Sequence, residues 1–167
     1  QRYNNKVKVG DKSLIINTQS ESFKSVNNIA KVINVPLIYK TKIKKGDLII
    51  IHHNVFRRWY NIRGEEKNSR SYFKNGLYFV NQDQIYLYKR NKKWMAFDNR
   101  CFVSPIKNYD NTNASSEQSL IGILKYGNSA LEALGINEED LVGYKPFGEF
   151  DFVVDGKRLY CMKSNDI

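Results

Sequence analysis

Apolar residues along this chain come in short bursts broken by Gly, Pro, Asn, Asp and Ser, a pattern that predicts many short strands and little helix. Residues 1–28 are polar and irregular apart from one apolar triplet, Leu14-Ile15-Ile16, and read as a flexible loop carrying a hydrophobic sticker. Residues 29–35 read as a strand that Pro36 ends, since proline cannot donate to a ladder. Gly46-Asp47 signals a turn, and residues 48–53 a short apolar strand. Residues 54–76, rich in Arg and aromatics, suit a projecting hairpin or long loop. Strands follow at 77–80 and 84–88, around a polar corner at 81–83. Residues 94–103 read as one strand, 109–119 as a loop and 120–126 as a strand. One helical turn fits 129–134, with Ser129 as its N-cap and Gly135 as its stop. Residues 140–144 form a further strand, 146–149 a turn, and 150–154 with 157–162 a hairpin. Its Asp155-Gly156 corner accepts the positive φ of a tight type I′ turn.

The pattern also repeats. Leu77-Tyr78-Phe79-Val80-Asn81-Gln82-Asp83-Gln84-Ile85 aligns with Leu159-Tyr160-Cys161-Met162-Lys163-Ser164-Asn165-Asp166-Ile167. Upstream, the block from Asn28 to Pro36 resembles that from Leu120 to Asn128, and Ile43 to Ile51 parallels Ile136 to Tyr144. Three blocks in one order point to two copies of one small unit. The first copy carries its extra residues within 54–76.

Composition narrows the picture. A chain of 167 residues holds one ordinary domain or two small ones, and 41% hydrophobic with 13% aromatic residues is a globular composition. No apolar run reaches the roughly 20 residues that span a bilayer, and no signal peptide is visible, so a cytoplasmic location and no membrane partner are expected. Cys101 and Cys161 stand apart, which predicts two free thiols rather than a disulfide framework or a zinc cluster. The formal charge of +10 fits either a solvated surface or an anionic partner.

The blocks resemble the GroES-type co-chaperonin family, the ten-kilodalton chaperonins. The family's Lys-x-Gly-Asp block is matched by Ile43-Lys44-Lys45-Gly46-Asp47-Leu48-Ile49. Its closing Leu-x-x-Met-x-x-x-Asp-Ile block is matched by Leu159 to Ile167, and its opening strand by Phe97 to Val103. The resemblance implies an all-β chain of two tandem GroES-like small β-barrels. The first covers 1–92, with a mobile loop at 1–28 and a roof hairpin at 54–76. The second covers 93–167 and has no apolar mobile loop. The implied activity is capping a GroEL-like chaperonin ring and assisting the folding of an unfolded client, from a homo-oligomeric ring of this chain. Leu14, Ile15 and Ile16 would dock on the chaperonin, although the same triplet also suits a core strand. Phe56, Arg57, Arg58, Trp59 and Tyr60 fall at the family's roof or subunit contact. No cofactor is implied, because the nucleotide belongs to the partner. The pattern departs from the family in three places. The first copy's opening strand would have to lie before Gln1, the second copy has no triplet in 109–119, and Glu139 replaces Gly46. A divergent, virus-encoded form acting in the host cytoplasm would suit the asymmetry.

Other constellations add less. His52 and His53, as strand neighbours, are expected to face opposite ways and so not to share a metal. The Arg and aromatic mixture of 56–63 also suits nucleic acid, by phosphate contact and stacking. The competing function is therefore a basic nucleic-acid-binding or virion structural module that reuses the barrel. No Walker loop, paired-carboxylate frame or Ser/His/Asp spacing is present, and no enzyme is expected.

Overall fold

The computed structural model describes residues 6–15, 27–107 and 117–167, and these are mostly β-strand with one five-residue helix. The chain forms two compact units, Gln1–Tyr86 and Leu87–Ile167. Among the described residues every sheet is open and none closes on itself.

The first unit opens with an antiparallel hairpin, β1 (Lys6–Val9) and β2 (Lys12–Ile15). β3 (Ile29–Lys31) pairs antiparallel with β4 (Leu48–Ile51), the most apolar strand of the unit, whose Ile49, Ile50 and Ile51 are buried. Two small hairpins follow: β5 (Arg58–Tyr60) with β6 (Glu66–Asn68), and β7 (Tyr72–Lys74) with β8 (Leu77–Tyr78). A 3-10 turn at Gln82–Gln84 leads into β9 (Ile85–Arg90), which crosses the division between the units.

In the second unit β9 pairs with β10 (Lys93–Ala96). The remaining strands are β11 (Arg100–Lys107), β12 (Glu117–Tyr126), β13 (Leu141–Gly143), β14 (Phe150–Val154) and β15 (Lys157–Lys163). They form a five-stranded antiparallel sheet in the order β13-β12-β11-β15-β14. Cys101, Val103, Leu124, Leu131, Val142 and Met162 make its buried core. Asp155 and Gly156 join β14 to β15 at φ +47° and +77°, and Asn75 and Gly76 join β7 to β8 at +47° and +75°. Both pairs are the positive-φ corners that a type I′ turn requires.

Three expectations are corrected. Residues 94–103 are two strands, β10 and β11, because Asp98 turns the chain at φ +57° and Arg100 N–H donates back to Phe97 O at 3.3 Å. The helix α1 (Ser129–Ala133) is capped by Asn128, not Ser129. The Asn128 side chain accepts from Ala130 N–H and Leu131 N–H, satisfying donors that have no partner inside the helix. Part of the polar segment 1–28 is the β1-β2 hairpin rather than irregular chain.

Segments that align in sequence carry the same backbone hydrogen bonds. Val32 N–H donates to Asp47 O at 2.9 Å and Gly46 N–H to Val32 O at 2.9 Å; in the second unit Leu124 N–H donates to Asp140 O at 2.9 Å and Glu139 N–H to Leu124 O at 2.7 Å. Ala30 faces Ile49 as Gly122 faces Val142. His52 N–H donates to Gln84 O at 2.8 Å, and Lys145 N–H to Asp166 O at 2.7 Å. The polar corners match as well: Asn81 N–H donates to Gln84 Oε1 at 3.0 Å and Lys163 N–H to Asp166 Oδ2 at 3.3 Å. Gly46 and Glu139 both sit at positive φ, +94° and +76°, so the sequence departure at Glu139 leaves the local backbone conformation intact.

Each unit's central turn depends on one aspartate. Asp47 accepts from Lys44 N–H at 2.8 Å, and Asp140 from Asn137 N–H at 2.7 Å. Asp47 is buried, whereas Asp140 is exposed. Replacing Asp47 with Ala therefore leaves a donor short of its acceptor in a partly buried site and should cost about 1–3 kcal/mol. Asp140→Ala should cost less, because water reaches the freed N–H. Urea denaturation midpoints of the two variants check the order, and equal losses would contradict it.

Candidate functional site

The triplet predicted to dock lies at the end of the amino-terminal hairpin. Leu14 is opposite Val7 and Ile15 opposite Lys6 in the β1-β2 ladder, and Ile16 lies outside the described residues. Two of the three residues are thus strand residues on a small two-stranded ribbon. The signal for that ribbon is the Lys-Val-Lys-Val alternation at 6–9 followed by Gly10, which turns the chain at φ +60°.

The roof residues occupy the start of the 54–76 insertion. A 3-10 turn at His53–Val55 buries Val55 and delivers Phe56 and Arg57 to β5. In the β5-β6 hairpin Arg58 faces Asn68, Trp59 faces Lys67 and Tyr60 faces Glu66. Arg58 Nη1 donates to both carboxylate oxygens of Glu66, at 2.7 and 2.8 Å, and Trp59 Nε1–H donates to Asn68 O at 3.2 Å. At the tip, the Asn61 Oδ1 accepts from Arg63 N–H and Glu65 N–H, both at 3.0 Å, and so fixes the reversal. Hydrogen bonds from Lys67 and Asn61 hold the Glu65 carboxyl below its ordinary pKa.

The base of the insertion is aromatic. Phe56 meets Tyr78 edge-on with ring centroids 4.8 Å apart, Tyr72 meets Tyr78 at 5.5 Å, and Ser69 Oγ–H donates to Val55 O at 2.6 Å. Trp59, Tyr60 and Ile62 are exposed. The hairpin therefore has an ordered polar frame, a packed aromatic root and an apolar tip open to contact. Arg58 is ion-paired with Glu66 across the ribbon.

The histidine expectation is corrected. The His52 and His53 rings stack with centroids 4.3 Å apart and planes 27° apart, because the strand ends at Ile51 and the chain turns into the 3-10 segment. His52 Nδ1 accepts from Asn54 N–H at 3.1 Å. Among the described residues no group of three His, Cys, Asp or Glu side chains is placed to hold a metal. The Cys101 and Cys161 thiols are free and buried, and burial pushes each up to about 12, far from a reactive thiolate. Among the described residues no helix is long and apolar enough to cross a membrane.

Compared with known proteins, the chain matches no family model, no curated protein and no solved structure.

Two outcomes follow from these side chains. Native protein should leave both thiols unmodified by a thiol-reactive dye over minutes, and both should react in denaturant; rapid labelling of folded protein would contradict their burial. His53 titrates below its ordinary value of 6.5, first through burial and then through the charges of His52 and Arg57. A depressed imidazole pKa means that protons bind the unfolded chain more readily. The stability this gives is present above the unfolded value and is lost as pH falls through the folded value. Melting temperature should drop from pH 7.5 to pH 5.5, and the drop should be smaller in His53→Gln. An identical pH slope in the two proteins would refute the assignment.

Proposed function

We propose that this chain is a non-enzymatic co-chaperonin of the GroES type, built as two tandem copies of one small β-barrel and acting in the cytoplasm. In this reading copies of the chain assemble into a ring that closes the cavity of a chaperonin over a folding client. The Leu14-Ile15-Ile16 segment makes the docking contact, and the residues Phe56 to Tyr60 serve the roof or the contact between neighbouring subunits. The observation that carries the proposal is the pair of matched backbone patterns at the aligned blocks, with the docking triplet present only in the first.

The physical logic is avidity. One apolar triplet buries too little surface to bind tightly alone, at about 25 cal/mol per Å² of apolar area. Several copies on one ring convert weak contacts into firm capping, provided the geometry lets them engage together. The exposed apolar tip at Trp59, Tyr60 and Ile62 suits a contact surface of the same assembly.

The test is co-purification of a GroEL-like chaperonin on immobilised wild-type chain and on a triple variant with Leu14, Ile15 and Ile16 changed to Ser. Retention by the wild type should fall at least about tenfold in the variant, a loss of roughly 1.4 kcal/mol or more. Equal retention by both proteins removes the docking claim. If neither protein retains a chaperonin but both are held on a DNA column with steep salt dependence, the function is the basic nucleic-acid-binding one.

A further inference from the structure

Between β3 and the Gly46-Asp47 turn the first unit carries an open loop, residues 33–42, whose two ends are fixed. Val32 and Ile43 are buried, Val32 N–H donates to Asp47 O at 2.9 Å, and Ile43 N–H donates to Thr41 Oγ1 at 3.3 Å. Val35, Pro36 and Tyr39 line a groove of about 890 Å³ beside β3, whereas Leu37 and Ile38 do not. The chain bends over residues 37–39 and leaves Leu37 100% and Ile38 98% exposed, with Tyr39 half exposed. A lone exposed apolar residue needs no explanation, but two adjacent aliphatic side chains wholly in water beside an exposed tyrosine add nothing to the burial that holds the fold.

The charge around this tip has one sign. Lys40, Lys42, Lys44 and Lys45 follow it and are all exposed, and no Asp or Glu occurs between Glu21 and Asp47, which is itself buried. The aligned connection of the second unit is built differently in both respects. There the chain forms α1, Leu131 turns inward to 1% exposure, and Leu134 is left as the one largely exposed aliphatic. Residues 129–139 hold Glu132, Glu138 and Glu139 and no lysine. The same connection is thus helical and acidic in one copy, and open and basic in the other.

We propose that this loop and the lysines after it bind the surface of an anionic phospholipid bilayer. Leu37 and Ile38 enter the acyl boundary, Tyr39 sits at headgroup level, and Lys40, Lys42, Lys44 and Lys45 lie over the anionic headgroups. A loop that only enters the lipid surface needs none of the roughly 20 apolar residues that span a bilayer. Each part has its place there: an apolar tip, an amphipathic ring at the interface, and cations drawn to a negatively charged leaflet. The choice of lysine favours lipid over other anionic partners. Protein interfaces are enriched in Arg and depleted in Lys, because a planar guanidinium suits fixed paired contacts. A lysine is a hydrated point charge that answers a diffuse anionic surface without a fixed geometry. Single-stranded nucleic acid would use stacking side chains, and two exposed aliphatics offer it none.

The test is co-sedimentation of the full 167-residue chain with vesicles of phosphatidylcholine alone and of phosphatidylcholine with about one-third phosphatidylserine. Binding to the anionic vesicles should be at least tenfold tighter and should weaken as salt rises. Leu37→Ser with Ile38→Ser should lose at least tenfold on anionic vesicles. Lys40→Gln with Lys45→Gln should do the same at low salt, since each lysine near such a surface is worth about fivefold. All four positions are exposed, so circular dichroism and melting should stay near wild type; if one pair unfolds, the other decides. An environment-sensitive dye on Ile38→Cys should shift to the blue with anionic vesicles and not with phosphatidylcholine. Equal binding to both vesicle types, or to neither, overturns the proposal. So does lysine-dependent binding that the Leu37 and Ile38 changes leave intact, which is adsorption by charge alone. Retention of a DNA oligonucleotide through the same lysines, without vesicle binding, would assign the patch to nucleic acid and overturn it. A concentration-dependent dimer that the Leu37 and Ile38 changes abolish, without vesicle binding, would assign it to a second copy and do likewise. The proposal does not rest on the co-chaperonin reading. The variant with Leu14, Ile15 and Ile16 changed to Ser should bind vesicles as the wild type does, and its failure would move the site to that triplet and overturn the assignment.

Discussion

A strand in a small β unit has two hydrogen-bonding edges, and the unit's order depends on closing them. In the second unit β11 meets this constraint for its whole sheet, since it alone joins the β12-β13 pair to the β14-β15 hairpin. One buried side chain locks its start. Asn128 Nδ2–H donates to Arg100 O at 2.8 Å and to Ser164 Oγ at 2.8 Å, while its Oδ1 caps α1. Ser164 in turn donates to Asn99 O through both its N–H, at 2.8 Å, and its hydroxyl, at 2.9 Å. Strand, helix and closing 3-10 turn thus share one network in which every member has a partner. Such networks are costly to leave half satisfied, at about 1–3 kcal/mol per orphaned group, so they select one arrangement of the elements they join.

The first unit keeps the turn chemistry of the second but not this lock. Pro36 aligns with Asn128 and Gln82 with Ser164. Proline offers no side-chain amide and no backbone N–H, so neither the helix cap nor the bond toward a central strand can form. The chain after Val35 accordingly runs without a helix, and Leu37 and Ile38 stand fully exposed. Asp47 remains in place, because its turn needs only the residues from Lys44 to Asp47. Local devices survive in both units, whereas the device that depends on a central strand is present only where that strand is described.

That distinction also explains what could be read from residues alone. The Asp155-Gly156 hairpin, the Gly46-Asp47 turn and the β-rich class were legible, because each is fixed by φ preference or by period over a few residues. The aligned blocks coincide with equivalent backbone hydrogen bonds in the two units. Four features were hidden. The break at Asp98 lies in the short polar stretch Asp98-Asn99-Arg100 between two apolar runs, where the chain turns at the positive φ of Asp98. The cap at Asn128 competes with an adjacent serine of equal propensity, and tertiary bonds to Arg100 and Ser164 decide between them. The histidine rings stack because the strand ends at Ile51, two residues before the end expected for 48–53. The β1-β2 ribbon is built largely of lysine and polar residues, which composition reads as loop. Of the candidate site, a hairpin or long loop over 54–76 was legible from its Arg, aromatic and Gly content and its roof role came only from the resemblance, whereas the ion pair of Arg58 with Glu66 needed the β5-β6 register.

Surface chemistry follows the same division between the units. The β5-β6 hairpin, with its exposed Trp59, Tyr60 and Ile62, and the β1-β2 ribbon both belong to Gln1–Tyr86. So does the groove beside β3. Uncovered apolar surface and an open sheet edge are aggregation hazards in a free protein, and the usual protections are charge, proline or a covering element. β3 ends on Lys31 and Pro36 follows shortly after, which discourages indiscriminate pairing. In the second unit β11 covers the equivalent positions, while the edge strands β13 and β14 leave Leu141, Phe150 and Val153 exposed. Among the described residues the strand β12 of the second unit is therefore covered by β11, whereas its counterpart β3 in the first unit is a sheet edge.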